Sequence, residues 1–442
     1  MTLVSGWGRF PVVDSELLRP RSFEAVGDAI GTAGAVARGN GRAYGDAAIG
    51  AGRTVAMTGF DRVRSFDPAT GRIRLEAGVL LSDLIDTFGP RGFLPFVVPG
   101  TRFVSVGGAI AADVHGKNHH CEGGFGRYVD SILLRTGQGE TIEASREQNS
   151  DAFFATIGGM GLTGIILEAT IRLRPVETGW IRERVIPASD LDAAMRALDA
   201  GDSATYSVAW IDCAARGSDL GRSLIYLGEH AGAGELAEGA DRFPAGKDPG
   251  LAVPVDLPSM TLNRYSIRAF NELYYRMGAR RAGGSQVVSL FPYFFPLDSI
   301  GAWNRIYGRR GFLQHQCVLP QQGARAVLGD ILDRVSKRGD ASFLAVLKKL
   351  GQGDGILSFP LPGYTLALDF PLKGDILNFL DEIDCLVVAA GGRLYLAKDA
   401  RQSRATFEAG YPALQRFNAI LKSLDPAGHI RSKLSQRLFD EV

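Results

Sequence analysis

The sequence is poor in cysteine: four in 442 residues, at Cys121, Cys213, Cys317 and Cys385. None forms a Cys-x-x-Cys pair, which excludes a disulfide framework and a zinc ribbon and fits a reducing compartment. No metal site is expected. No run of about 18 apolar residues occurs, so no transmembrane helix is expected. The first residues lack a charged segment followed by an apolar one, so no signal peptide is expected. There is no excess of either charge: 49 basic residues stand against 48 acidic ones, and nothing global points to nucleic acid. The common phosphate motifs are missing as well. There is no Gly-x-x-x-x-Gly-Lys-Ser/Thr, and no Gly-x-Gly-x-x-Gly opening a helix after a strand. Internal repeats and low-complexity tails are likewise absent.

The chain does have the length for two domains with real cores, and an ordinary hydrophobic content of 45%. It is organised around Pro99 to Gly126. Gly107 and Gly108 stand before the small apolar run Ala109, Ile110, Ala111, Ala112. Glycines ahead of a helix start let backbone N–H groups approach a diphosphate. His115, Lys117, Asn118, His119 and His120 then follow within six residues, with three of the six histidines of the chain. A tightly packed helix with a polar loop would give the same pattern. Ala37 to Asp46 is a second glycine-punctuated, donor-rich loop: Ala37, Arg38, Gly39, Asn40, Gly41, Arg42, Ala43, Tyr44, Gly45, Asp46. Two phosphate-type loops without Rossmann punctuation indicate a different dinucleotide fold.

Periodicity supplies the frame. Ser22 to Ile30 reads as a helix with Ser22 as N-cap. Strands are expected at Ala35 to Ala37 and Ile73 to Ala77, and a helix over Leu80 to Phe88 stopped by Gly89-Pro90. Ser145 to Ile157 reads as helical. Residues Ile165 to Leu173 alternate strictly, the mark of a half-buried strand ended by Pro175. A domain boundary falls near Gly179. Beyond it, a helix near Ser189 to Gly201 precedes strands at Tyr206 to Ile211 and Ser223 to Leu227. Gly228 to Leu262 reads as a long, mobile surface loop. The cluster Phe291 to Leu297 reads either as core or as an apolar wall for a lipid tail. Strands at Gly311 to Val318, Phe343 to Lys348 and Leu366 to Phe370, with helices at Ala324 to Lys337 and Asp375 to Ala389, indicate an antiparallel sheet covered on one face. A last helix is expected at Ser403 to Leu421. The fold class is α+β.

The loop Arg38-Gly-Asn-Gly-Arg-Ala-Tyr-Gly-Asp46 and the block Pro99-Gly-Thr, Val106-Gly-Gly-Ala-Ile-Ala, His115-Gly-Lys-Asn-His-His120 together resemble FAD oxidoreductases of the vanillyl-alcohol oxidase type. Within that family they are similar to the branch of decaprenylphosphoryl-β-D-ribose 2-oxidases. The resemblance runs from Gly6-Trp7-Gly8-Arg9 to Gly391-Gly392-Arg393-Leu394-Tyr395-Leu396-Ala397-Lys398-Asp399 and on to the C-terminus. It implies a two-domain fold: an FAD domain at 1–178 and 393–442, and an antiparallel-sheet substrate domain at 179–392.

The resemblance also implies roles. FAD would be wrapped by residues 37–47, ending at Ala47, and by Gly100, Ser105, Val106, Gly107, Gly108, Ala112, Asp113, Val114 and His115, with Ile166 and Tyr395 adding contacts. The matching histidine of the branch is not flavinylated, so His115 implies non-covalent FAD. Lys398 and Tyr44 are implied at the reacting sugar, together with His115. Lys117, Gln314, Gln316 and Lys348 match donors of a ribose–phosphate pocket, and Trp210 and Trp303 match aromatic walls. Each of these has a plainer alternative as core, rim or solvated pair. Ala367, Thr365 and Val208 depart from the branch, whose mycobacterial members carry cysteine, asparagine and serine there. The implied activity is oxidation of the ribose 2-hydroxyl of a polyprenyl-phosphoryl-β-D-ribose to the 2-keto sugar, the first half of an epimerisation that supplies the arabinose donor for cell-wall arabinan. Electrons would pass to a quinone or oxygen, and a nicotinamide-dependent keto-reductase would finish the epimerisation. Location would be cytoplasmic, or peripheral at the inner membrane. An aldonolactone or other soluble sugar oxidase, and a flavin-binding partner without turnover, stay open as alternatives.

Overall fold

The computed structural model describes residues 2–31, 34–246, 250–258, 261–339 and 344–439. The fold is α+β and is built on three larger sheets. A four-stranded sheet joins Thr2–Ser5, Val12–Leu18, Arg53–Ala56 and Ala35–Arg38; its inner pairs are parallel. An antiparallel sheet follows, in the order Val63–Asp67, Arg72–Glu76, Ile165–Pro175, Val129–Arg135 and Thr141–Ser145, with Phe93–Pro95 also pairing to Ile165–Pro175. The alternation of Ile165 to Leu173 is realised only from Ala169 on: Ile165, Leu167, Ala169, Ile171 and Leu173 are all buried, but so are Ile166 and Glu168, so the first half of the strand is buried on both faces.

The third sheet is antiparallel throughout and has eight strands. Their order is Ser285–Ser289, Trp180–Ala188, Ser223–His230, Tyr206–Ile211, Ala345–Leu350, Gly363–Pro371, Phe312–Pro320 and Arg393–Leu394. Helices Leu191–Ala200, Ala324–Arg338 and Ile376–Ala389 cover one face. Leu198, Leu328 and Val387 are fully buried there, and burying such a side chain stabilises by about 1.5–3 kcal/mol. Arg393–Leu394 is the edge strand of this sheet, and Tyr395 just beyond it hydrogen-bonds to Ala112 of the N-terminal part of the chain.

Several expectations need correction. Residues 145–157 are not one helix. Thr141–Ser145 is a strand, the Ser145 hydroxyl accepts from the N–H groups of Glu147 and Gln148, and the helix starts only at Ser150. The helix Leu81–Phe88 does end at Gly89-Pro90, where a short 3-10 turn, Gly89–Arg91, follows. The helix expected at Ser403 to Leu421 is two, Arg404–Gly410 and Leu414–Leu424, and a further helix, Lys433–Leu438, follows. Of the expected loop at 228–262, the first residues extend a strand to His230, and Leu251–Ala252 pairs with Ile300–Gly301. Residues 247–249 and 259–260 lie outside the described residues. The sheet also has a helix on its second face: Arg264–Ala279 packs there against Trp180–Ala188 and Ser223–His230. Its start is capped by Asn263, whose side chain accepts from the N–H groups of Tyr265 and Ser266.

Candidate functional site

The two glycine loops meet. Asn40 Nδ2 donates to the Phe103 carbonyl at 2.9 Å, tying the first loop to the second. Ser105 caps the Val106–Ala111 helix and accepts from Gly108 N–H at 3.3 Å. Gly107 and Gly108 therefore lie inside the first turn, not ahead of it. A Cβ on Gly39 would stand 2.0 Å from Ser105 Oγ, and one on Gly107 would stand 2.9 Å from Ala77 Cβ. Only glycine fits at either point, and the backbone is left bare. The C-terminal segment closes the loops from behind: Tyr44 N–H donates to the Ala397 carbonyl, and Tyr395 Oη to the Ala112 carbonyl, both at 2.9 Å.

Between these loops and the second face of the eight-stranded sheet lies a cavity of about 880 Å³. Of the residues expected to hold FAD, its lining includes Ala37, Gly39 to Tyr44, Ala47, Gly100, Ser105, Gly107, Gly108, Ala112, Val114, His115, Ile166 and Tyr395. Arg38, Gly45, Asp46, Val106 and Asp113 have side chains or positions spent on scaffolding instead. Arg38 donates to the carbonyls of Ser5 and Ala48, and Asp46 pairs with Arg437. Gly45 lies against the Asp399 backbone, and Val106 is core. Asp113 accepts from Gly126 N–H and Ser358 Oγ. The histidine block divides in the same way. His119 Nδ1 accepts from Gly351 N–H at 3.0 Å, His120 Nε2 lies 2.9 Å from the Ala204 carbonyl, and Asn118 donates to the Phe96 carbonyl. Those three residues fold the loop; His115 and Lys117 reach the cavity.

His115 has a defined tautomer. The Thr365 hydroxyl donates to the Cys317 carbonyl at 2.8 Å, so it can only accept from Gln316 Nε2 at 3.2 Å. The same amide then donates to His115 Nε2 at 3.0 Å. The imidazole proton is thereby placed on Nδ1, which is buried and has no partner. Burial and the nearby Lys348 hold His115 well below the ordinary histidine range, so the ring is neutral.

The substrate-side candidates all converge. Lys117, Trp210, Gln314, Gln316, Lys348 and Lys398 line the cavity, with Trp303 beside them. The three lysines are half-buried. Desolvation lowers Lys117 and Lys398 to about 7 and Lys348 to about 8. Lys117 donates to the Tyr293 carbonyl, while Lys348 has no ion-pair partner among the described residues. Lys398 Nζ stands 3.5 Å from the centroid of the Tyr44 ring. Its sequence neighbour Asp399 is engaged by Arg437, so Lys398 is no solvated surface pair. The Tyr44 phenol is raised well above its ordinary value, chiefly by burial.

One acidic residue beside these candidates escaped the sequence reading. Asp369 faces Gln314 in register across paired strands and accepts from its Nε2 at 2.6 Å and from Tyr307 Oη at 3.2 Å. Burial raises Asp369 to about 7, and its charge is what Lys398 feels. The apolar end of the cavity was also missed in part. It includes Ile267, Phe270, Leu344 and Val346 besides the two tryptophans. The Phe291 to Leu297 cluster is mostly core: Tyr293, Phe294 and Phe295 pack on Ile85, Leu94 and Ile181, and only Phe294, Pro296 and Leu297 reach the cavity. Val208, Thr365 and Ala367 all line it.

FAD fits these residues. Bare backbone at Gly39 and Gly107, an unpartnered imidazole N–H at His115, and a surplus of cations lining the cavity suit a diphosphate and a redox ring that gains negative charge. Residues 16–145 match the family model described as FAD binding domain. The chain is 38% identical over 446 residues to decaprenylphosphoryl-β-D-ribose oxidase of Mycolicibacterium smegmatis, covering 98% of this chain and 96% of that one. An uncharacterized protein of Streptomyces coelicolor is 35% identical over 81% of this chain and all of its own. L-gulonolactone oxidase of Bos taurus is 24% identical over 91% of this chain and 88% of its own. The chain thus belongs to the decaprenylphosphoryl-β-D-ribose oxidase-like members of the vanillyl-alcohol oxidase / p-cresol methylhydroxylase family, and is an FAD-binding oxidoreductase acting on a CH–OH group.

Proposed function

We propose that the protein oxidises the ribose 2-hydroxyl of a polyprenyl-phosphoryl-β-D-ribose to the 2-keto sugar. The observation that carries this is one cavity lined both by three lysines and by an aromatic, aliphatic set of side chains. A sugar phosphate on a lipid tail calls for both. Residues 1–178 and 393–442 would hold FAD non-covalently, and 179–392 the substrate. Bound FAD supplies the acceptor for the C2 hydride.

The chain's own residues supply the rest. Lys348 and Lys117 attract the phosphate; Gln314 and Tyr44 orient the ribose. Lys398, with a proton affinity near neutrality, takes the C2 hydroxyl proton as the hydride leaves. Asp369 steadies the cation that results, within a site too buried for water to do so. The Thr365–Gln316–His115 relay keeps an N–H donor at the cavity wall. Electrons then go to a quinone or oxygen, and a nicotinamide-dependent reductase consumes the keto sugar.

The test is product identity. Incubation with polyprenyl-phosphoryl-β-D-ribose and a quinone should yield a product two mass units lighter. Borodeuteride should then place deuterium at C2. Label elsewhere on the sugar, or turnover only of free aldonolactones, would sink the assignment.

A further inference from the structure

The helix Arg264–Ala279 buries Ile267, Asn271 and Gly278 yet leaves a second stripe in solvent. Phe270, Leu273, Tyr274 and Met277 recur at the i, i+3, i+4, i+7 spacing of one helix face. Leu273 is 59% exposed and Met277 57%. Phe270 and Tyr274 line the cavity, and the Tyr274 ring sits 4.7 Å from that of Trp210. The stripe therefore runs from the cavity wall out into solvent. Ile300 also lines the cavity and pairs with Leu251, itself 77% exposed.

Charge is distributed along the same helix. Between Arg264 and Arg281 there are five arginines and one acid, Glu272, in a chain whose net charge is only +1. Arg276 and Arg280 follow Leu273 and Met277 at i+3 and are exposed. Glu272 is engaged by Arg222 and Arg276, whereas Arg268 and Arg280 have no carboxylate partner among the described residues. A solvent-facing apolar stripe edged by unneutralised arginine suits a surface that is oily within and anionic at its boundary.

We propose that this helix docks the cavity mouth onto an anionic lipid bilayer, with Leu273 and Met277 entering the acyl boundary and the arginines meeting phosphate headgroups. The inference rests on the reading above only in that a bilayer-borne substrate gives the docking its use. The docking would let a lipid tail pass from membrane to cavity along Phe270 and Tyr274 without crossing water.

The test uses the full FAD-loaded protein and extruded vesicles that contain no sugar lipid, so it is independent of the substrate assignment. Flotation is compared for phosphatidylcholine alone and for phosphatidylcholine with one-third phosphatidylglycerol. The protein should float with the anionic vesicles and lose this as salt rises. Arg268→Glu with Arg280→Glu should weaken partition by about fivefold or more per arginine, and Leu273→Ser with Met277→Ser by about tenfold each. All four should keep wild-type FAD content and wild-type rates on a soluble short-chain substrate. Absence of flotation in the wild type, or equal flotation by the variants, overturns the proposal. So does a dimer in light scattering that the Leu273 and Met277 variants dissociate, because a second copy then covers the stripe. Vesicle binding without sugar oxidation would leave the docking intact and remove only the substrate assignment.

Discussion

Lys398 Nζ lies 3.5 Å from the centroid of the Tyr44 ring, with Asp369 as the charge that opposes its loss of a proton. An ammonium on an aromatic face is stabilised, yet here burial outweighs both partners and lowers the lysine to about 7. The arrangement joins three parts of the chain: the first glycine loop, the Gly363–Pro371 strand and the turn after Arg393–Leu394.

Lys398→Ala should keep FAD bound and lose most turnover. The side chain sits against Tyr44 and Asp369 rather than against Gly39 or Gly107. Losing a group used mainly in the transition state costs roughly 2–4 kcal/mol, about a hundredfold or more in kcat. Steady-state kinetics on FAD-saturated protein checks this, and near-wild-type turnover would remove Lys398 from the mechanism.

The pH profile should carry the same lysine. A base must be deprotonated to accept, so kcat/KM should rise through about pH 7 and then level. Asp369 raises the lysine's proton affinity, so Asp369→Asn should move the rising limb to lower pH. A limb that stays in place, or moves up, would contradict the coupling.

FAD should be released when the protein is denatured. His115 Nε2 already accepts from Gln316, and the ring is neutral. Acid precipitation should leave a yellow supernatant and a colourless pellet. Flavin in the pellet would mean a covalent anchor.

Acid stability should depend on His119. Burial holds it at about 3, against about 6.5 in an unfolded chain. Between those values the unfolded chain binds a proton that the folded chain refuses. Stability is thus full above pH 6.5 and falls as pH drops toward 3. Asp113, raised to about 6, works in the opposite direction below that pH, so the variant isolates the histidine. In His119→Gln, the difference in urea midpoint between pH 7 and pH 4.5 should shrink.

Tail length should matter through the apolar wall. Each buried prenyl methylene contributes roughly 0.8 kcal/mol, so KM should fall with longer tails until the wall ends. Phe270→Ser should blunt that dependence. Phe294→Ser and Phe295→Ser should destabilise the fold, since both rings are core.

Much of this was legible in the sequence where the signal is local. The two glycine loops, the strand at Ile165 to Leu173 and the Ser22 cap are short-range patterns, and the structure has them, though the strand's first half is buried on both faces; His115 and Lys117 do line the cavity. What was hidden is of two kinds. Asp369 gains its role from register with Gln314, a pairing across 55 residues that no local pattern reveals. The Arg264–Ala279 helix turns much of its apolar stripe outward, so it lacks the buried face that periodicity rewards, and it follows a Gly- and Pro-rich stretch. The scaffolding roles of His119, His120 and Asn118 were hidden for a related reason: their partners lie on distant strands and loops.

The most direct test of the account is anaerobic mixing of the FAD-loaded protein with polyprenyl-phosphoryl-β-D-ribose, followed by flavin absorbance. The account predicts rapid bleaching in proportion to sugar, abolished in Lys398→Ala and absent with the 2-deoxy sugar. Bleaching by the 2-deoxy sugar, or by aldonolactones alone, would contradict it.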